Sequence, residues 1–198
     1  SSDVCSSDLL RIACRDFGIE DADAYVVLGE NGKPAFRDVP DIHFNLSHSK
    51  TRVMCVISPY EAGCDVERVR PGRSRLAERF FKESENAWIH SFPEGDAQDI
   101  AFCRLWTLKE CYMKVTGRGM ALSPDKFTLS VTPDGILLDH EGPRPEYRFF
   151  ELPACQLTEG DRLPTTSTSS PSNGSKTSSR SMPVPWCSCR TTVPSSTM

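Results

Sequence analysis

Three carboxylates and one lysine stand at spacings that could bring them into a single site. Asp65 and Glu67 are separated by one residue in a segment with strand character, so their side chains point to the same face. Glu110 and Lys114 lie four residues apart in a helical pattern, which places them one turn apart on the same side. Such a set could hold a hard cation, because Mg²⁺ prefers oxygen ligands, and the lysine would then neutralise a phosphate.

The same residues also fit a purely structural interpretation. The two strand acids could form a solvated face, and Glu110 with Lys114 could form a surface ion pair, which on spacing alone is the commoner case. Cys64 and Val66 weaken that interpretation. They would occupy the opposite face of the strand, so that one side is buried and the other acidic.

Ser47 and His48 directly follow a strand of buried character and open a turn. A hydroxyl and an imidazole at this place could bind an anion, and a histidine that caps a turn is equally compatible with the pattern. A serine–histidine nucleophile pair is disfavoured, because adjacent residues of a strand point apart.

A basic cluster follows the acidic strand. Twelve residues contain five arginines, at positions 68, 70, 73, 75 and 79. They could form a solvated loop and helix face, which is the commoner case. The alternative is a patch for a phosphate-bearing ligand or an acidic partner.

Apolar periodicity and turn signals predict the elements that position these residues. Helices are expected at residues 9–17, 76–81, 85–92 and 97–116, the last two with Ser84 and Asp96 as N-caps. Strands are expected at residues 25–28, 43–47, 53–57, 63–67, 127–131, 136–139 and 147–151. The longest helix should bury one stripe, formed by Ala101, Leu105, Leu108, Tyr112 and Val115. The order of helix, strands, helices and strands predicts an α+β fold.

Composition narrows the class of protein. The chain has 198 residues and a formal net charge of −4, which argues against a nucleic-acid-binding protein. No apolar run approaches the roughly 20 residues of a membrane helix, and no secretory signal pattern is visible, so we expect a cytoplasmic protein without a membrane partner. Nine cysteines without a Cys-x-x-Cys pair predict reduced thiols rather than disulfides or a zinc site.

Taken in order, several segments resemble the 4′-phosphopantetheinyl transferases of the surfactin-synthetase-activating type. The matching stretches are residues 32–34 (GKP), 44–49 (FNLSHS), 63–67 (GCDVE), 79–81 (RFF), 106–114 (WTLKECYMK) and 117–119 (GRG). Any one of them is a weak pattern, whereas their common order is a strong signal. The resemblance extends from about Leu9 to Glu151.

The resemblance implies a fold of two similar α/β lobes with the active site between them. It implies transfer of the phosphopantetheine arm of coenzyme A to a serine of an acidic acyl or peptidyl carrier protein, with release of adenosine 3′,5′-bisphosphate. It implies Mg²⁺ as cofactor and a monomeric enzyme. The roles carried over are metal binding by Asp65, Glu67 and Glu110, catalysis by Glu110 and Lys114, and coenzyme A binding by Lys33, Ser47, His48 and Lys114.

Both ends depart from the family pattern. We expect a non-native, disordered leader at residues 1–8, a truncated first lobe at 9–69, a second lobe at 70–152 and a disordered tail at 153–198. Of the 41 residues from 158 to 198, 24 are Ser, Thr or Pro, a composition that cannot bury enough apolar surface to offset its ordering entropy. The abrupt change indicates a reading-frame shift near Leu152; a genuine linker is the alternative. The alternative functions are a non-catalytic binding module for coenzyme A or a carrier protein, and an inactive gene fragment.

Overall fold

The computed structural model describes residues 6–50, 52–140, 146–152 and 186–192. The helices are α1 (Ser6–Arg15), α2 (Ala22–Tyr25), α3 (Ala77–Phe80), α4 (Glu83–His90) and α5 (Asp96–Val115). The strands are β1 (Val26–Leu28), β2 (Pro34–Phe36), β3 (His43–Ser49), β4 (Arg52–Ser58), β5 (Ala62–Val66), β6 (Phe127–Thr132), β7 (Gly135–His140), β8 (Glu146–Leu152) and β9 (Trp186–Thr192). This mixture of helices and strands confirms the α+β class.

The first half of the described chain is built on two antiparallel hairpins. β1 pairs with β2, and β3 pairs with β4 in a register that sets Ser47 opposite Met54. The turn before β2 has Asn31 at a φ of 61° and Gly32 at 77°. One apolar core unites α1 with these hairpins, and its buried members are Leu10, Cys14, Ile19, Ala22, Phe36 and Phe44.

The second half is organised around α5. The predicted stripe of this helix is buried throughout, with exposed fractions of 0–4% for its five residues. Its apolar side chains pack with α3, α4 and the β6–β7 hairpin in the largest core cluster. The helix is therefore the central element of this half, and it positions every residue from Trp106 to Lys114.

β5 lies directly against α5. A Cβ placed on Gly63 would come within 2.3 Å of the carbonyl oxygen of Cys111 and 2.6 Å of the amide nitrogen of Val115. Only a residue without a side chain permits this approach. The contact brings the strand that carries Asp65 next to the helix that carries Glu110 and Lys114.

A three-stranded antiparallel sheet has the order β5–β9–β8. Its central strand, Trp186–Thr192, comes from the segment for which disorder was expected, so that expectation is wrong for these residues. The rest of residues 153–198 lies outside the described residues. The reading-frame shift and the lobe boundaries stay predictions.

Three local expectations are corrected by the structure. Residues 1–8 were expected to carry no structure, yet α1 begins at Ser6. The N-cap of α5 is Gly95 rather than Asp96, which is the first helical residue. The N-cap of α4 is Lys82 rather than Ser84, and the Glu85 carboxylate accepts a hydrogen bond from the Lys82 amide at 2.9 Å. In the last two cases the cap lies one or two residues earlier than the polar residue that the pattern singled out.

Candidate active site

Asp65, Ser47 and Lys114 form a buried hydrogen-bonded cluster. The Ser47 hydroxyl donates to Asp65 Oδ1 at 2.7 Å, and the Lys114 ammonium donates to the same oxygen at 2.7 Å. Lys114 also donates to the carbonyl oxygen of Cys64 at 3.0 Å and to the Ser47 hydroxyl at 3.1 Å. One carboxylate thus links β3, β5 and α5.

The environment of Asp65 contradicts a solvated strand face. All five residues of β5 are buried, and Asp65 is 5% exposed. Its second oxygen, Oδ2, is buried as well and receives no hydrogen bond from the residues that the structure describes. A buried carboxylate oxygen without a donor is costly, and a cation is the ordinary partner for it.

Glu110 lies within the electrostatic reach of this cluster. Burial raises the pKa of its carboxyl, and repulsion from the charges of Asp65 and Glu67 raises it further, against the attraction of Lys114. The pKa of Lys114 is raised. Burial opposes its charged form, but attraction and hydrogen bonding to Asp65 outweigh the effect of burial. The ion partner of Lys114 in the structure is Asp65, at 2.7 Å, which does not fit the alternative of a Glu110–Lys114 surface pair.

Glu67 stands at the edge of this cluster, just after β5. Its Oε2 accepts hydrogen bonds from the Ser49 hydroxyl at 3.4 Å and from the Arg68 amide at 3.2 Å. Within the described residues, no group of three or more His, Cys, Asp and Glu side chains is arranged so that it could bind a metal ion. The metal-ligand set Asp65, Glu67 and Glu110 therefore stays a prediction.

The predicted coenzyme A ligands have different surroundings in the structure. Lys33 reaches the same region, since its ammonium lies 2.5 Å from Glu61 Oε2 and 3.1 Å from the carbonyl oxygen of Val115 at the end of α5. Ser47 belongs to the Asp65 cluster. His48 is exposed, on the face of β3 opposite Ser47, as alternation in a strand requires.

A cavity of about 360 Å³ opens beside Glu67, between the segment after β5 and α5. It is lined by Glu67, Arg68, Arg70, Arg73, Leu76, Arg79, Phe80, Phe102, Cys103 and Trp106. Burial raises the pKa of the Cys103 thiol to about 12, and the charges of Glu67 and Asp65 add to the shift. The cavity therefore lies next to Glu67 and close to Asp65.

Two residues of this region, Asp99 and Glu61, could not be identified as functional from the sequence. Asp99 is expected only as a charge in the first turn of α5, yet its buried carboxylate accepts hydrogen bonds from the amides of Gly72 and Ser74. Glu61, the partner of Lys33, precedes β5 and carries no local signal. Only contacts between segments distant in the chain reveal either role.

Part of the chain matches a known protein family. Residues 61–152 match the family model described as the 4′-phosphopantetheinyl transferase superfamily, ACPS. The match includes β5 and α5, and hence Asp65, Glu110 and Lys114. This segment belongs to that superfamily, as the ordered motifs predicted.

Curated relatives agree with the family match. The 4′-phosphopantetheinyl transferase psf-1 of Bacillus pumilus is 36% identical over 138 residues, which cover 68% of this chain and 59% of the relative. Sfp of Bacillus subtilis strain 168 is 33% identical over 124 residues, 63% of this chain and 55% of the relative. The gsp protein of Aneurinibacillus migulanus is 44% identical over 98 residues, 50% of this chain and 40% of the relative. The chain thus spans about half the length of the curated relatives it matches.

Proposed function

We propose that the chain is a 4′-phosphopantetheinyl transferase, which moves the phosphopantetheine arm of coenzyme A to a serine of an apo carrier protein and releases adenosine 3′,5′-bisphosphate. The observation that carries this proposal is the buried Asp65–Ser47–Lys114 cluster beside Glu110, inside the segment that matches the family. We also assign the enzyme to the cytoplasm. Cys14, Cys55, Cys64 and Cys103 are thiols rather than disulfides, which suits a reducing compartment.

Mg²⁺ is the cofactor that the donor set fits. Asp65, Glu67 and Glu110 supply only hard oxygen ligands, and Asp65 Oδ2 is a buried oxygen that lacks a donor among the described residues. Bound Mg²⁺ would offset the negative charge of the diphosphate of coenzyme A. We assign these three carboxylates as its ligands.

Two side chains of α5 take the chemical roles. Glu110 accepts the proton of the carrier serine, directly or through water, as a carboxylate held on α5 beside Asp65 and Lys114. The serine oxygen then attacks the phosphorus that bears the pantetheine arm, and the bond from that phosphorus to the nucleotide phosphate breaks. Lys114 stays protonated, because its pKa is raised, and its ammonium stabilises the charge that develops on the phosphates.

The nucleotide end of coenzyme A is assigned to Lys33, Ser47 and His48, and Lys114 to its phosphates. His48 is exposed and so open to a phosphate, which supports a place for it near the 3′-phosphate. Lys33 is held by Glu61 close to the end of α5, so its charge lies on the same side of the fold as Lys114. Ser47 orients both Asp65 and Lys114 through its hydroxyl.

The test is incubation of the chain with coenzyme A, Mg²⁺ and an apo carrier protein, with the mass of the carrier as the readout. The phosphopantetheine mass should appear on the carrier and should be lost when EDTA is added. Glu110→Gln should lower the rate by at least about 10²-fold. Glu94→Gln, which changes an exposed glutamate, should leave it unchanged.

Two outcomes contradict the proposal. Binding of coenzyme A without any transfer would favour a non-catalytic binding module, and absence of both would favour an inactive gene fragment. Full activity of Glu110→Gln would remove that residue from the mechanism.

A further inference from the structure

The cavity beside Glu67 has a wall and a floor of different chemistry. Three aromatic residues line it, Phe80, Phe102 and Trp106, which we call the floor, and the Trp106 ring lies at centroid distances of 5.5 Å from Phe80 and 6.0 Å from Phe102. Four arginines, Arg68, Arg70, Arg73 and Arg79, also line the cavity, and we call them the arginine rim. An aromatic floor with an arginine rim suits a partner that offers apolar contact together with carboxylates or phosphates.

The part of the arginine rim that carries Arg73 is fixed to α5 by one carboxylate. Asp99 accepts hydrogen bonds from the Gly72 amide at 2.7 Å and the Ser74 amide at 2.8 Å, and Arg73 lies between these two residues. Asp99 is 4% exposed. Gly72 has a φ of 74°, a conformation that glycine adopts without strain and that turns the chain toward the carboxylate.

Asp99 shares one stripe of α5 with the cavity floor. Positions 99, 102, 103 and 106 follow the spacing of three and four residues that aligns side chains along a helix, and the last three line the cavity. The same face of α5 therefore supplies both the floor and the group that holds the rim. A loop that would otherwise be a solvated run of arginines is ordered before any partner binds.

Charge and position indicate what this surface meets. Residues 1–150 hold 19 basic and 24 acidic side chains, so a rim of arginines is a local reversal of the charge of the chain. The rim adjoins Glu67, a proposed metal ligand, so a carrier protein bound there would place its acceptor serine beside the proposed site. An acidic protein segment that carries the acceptor serine is complementary to it.

We propose that Asp99 is a positioning residue for the acceptor substrate: it fixes the backbone at residues 72–74, so that Arg70 and Arg73 stand ready to bind acidic residues of the carrier protein. This inference rests on the proposed function for the identity of the acceptor. Removing the Asp99 carboxylate releases the rim, and the carrier must then order it at the cost of affinity. The proposed coenzyme A ligands, Lys33, Ser47, His48 and Lys114, do not line this cavity, so the affinity for coenzyme A should be unchanged.

The experiment compares Asp99→Ala with Asp96→Ala. Asp96 stands in the same first turn of α5 but is exposed, so its variant removes the same charge without releasing the loop. The probe is an apo acyl carrier protein of net negative charge. For each variant, carrier affinity is measured by calorimetry and the KM values for carrier and for coenzyme A are measured separately.

Asp99→Ala should raise the carrier KM and Kd on the order of tenfold, with the coenzyme A KM unchanged and kcat at saturating carrier within about twofold. Asp99→Asn keeps one acceptor oxygen and should give an intermediate value. A purely structural effect would alter both KM values together. Equal values for Asp99→Ala and Asp96→Ala, or a parallel loss of coenzyme A affinity, overturn the proposal.

A second pair of variants leaves the Asp99 contacts intact. Arg73→Glu reverses a charge on the cavity rim, whereas Arg75→Glu reverses an exposed charge that does not line the cavity. The first should weaken carrier binding clearly more than the second, and equal effects contradict a rim that binds the carrier. If the wild-type chain transfers nothing, the proposed function fails, but calorimetry still decides the inference. Weaker carrier binding by Asp99→Ala than by Asp96→Ala then supports it, and absence of binding to the wild type overturns it.

Discussion

Gly63 is the position where one added methyl group should disturb the whole site. A Cβ there would meet two backbone atoms of α5, the Cys111 oxygen at 2.3 Å and the Val115 nitrogen at 2.6 Å, and the Lys114 Cβ at 3.2 Å. Backbone atoms cannot rotate away as the end of a side chain can. The Gly63→Ala variant must therefore move β5 away from α5.

The displacement follows from the contact distances. An ordinary carbon–oxygen contact is about 3.3 Å, so the strand and helix must separate by about 1 Å at Gly63. Overpacking of this kind costs about 1–3 kcal/mol, which for a domain of this size lowers Tm by about 2–12 °C. Because the separation also draws Asp65 from Lys114, which now lie 2.7 Å apart, transfer should slow by about 10²-fold.

The assay pairs thermal unfolding with carrier modification. Gly29→Ala is the matched control, since its Cβ would meet only the Lys33 carbonyl oxygen at 3.2 Å, and it should change Tm and rate little. A Gly63→Ala protein with wild-type Tm and wild-type transfer rate would refute the close approach of β5 to α5 as the feature that sets the site.

Three further perturbations test other parts of the structure. Lys109→Met leaves the buried Glu85 without its ion partner at 2.8 Å and should lower the free energy of unfolding in urea by about 3–5 kcal/mol. The double variant Lys109→Met with Glu85→Gln should recover a part of this loss, and an equally unstable double variant would contradict the assignment. Ser47→Ala removes the donor to Asp65 and should cost about 1–2 kcal/mol and slow transfer, whereas an unchanged stability would show that the hydroxyl does not hold the cluster. Hydrogen bonds from backbone amides lower the pKa of Asp99 in spite of its burial, so its contribution to stability is present above the ordinary aspartate pKa of about 3.9 and is lost as pH falls through the lowered value. Asp99→Asn should accordingly show a flatter acid limb in the free energy of unfolding, and identical pH profiles would contradict the assignment.

Elements with a strong local pattern were predictable from the sequence. The stripe of α5 follows from apolar residues at helical spacing, and all five residues are buried as expected. The hairpin of β6 and β7 follows from two strand-type runs around Pro133, Asp134 and Gly135, and the structure pairs Thr132 with Gly135 at its end. In both cases the signal lies within a window of a few residues, which is the range over which periodicity operates.

Contacts between distant segments were not predictable in the same way. Ser47 and Asp65 are 18 residues apart, and Lys114 is 49 residues beyond Asp65, so no spacing rule joins them. Strand β2 was missed because Pro34–Phe36 is too short to display an alternation. The two N-caps were misplaced because the backbone geometry of the preceding loop, rather than residue type alone, decides where a helix begins.

The two lysines of α5 explain why residue type alone does not assign the phosphate-binding charge. Lys109 is 1% exposed, and its ammonium is enclosed by Glu85, the Pro124 carbonyl at 2.7 Å and the Phe127 carbonyl at 2.9 Å. Burial lowers its pKa, although Glu85 opposes the shift. Lys114 is 25% exposed, and attraction to Asp65 keeps it charged. A phosphate can therefore reach the ammonium of Lys114. The ammonium of Lys109 instead binds groups of α4 and β6, and Lys109 thereby holds in place the helix that carries Glu110.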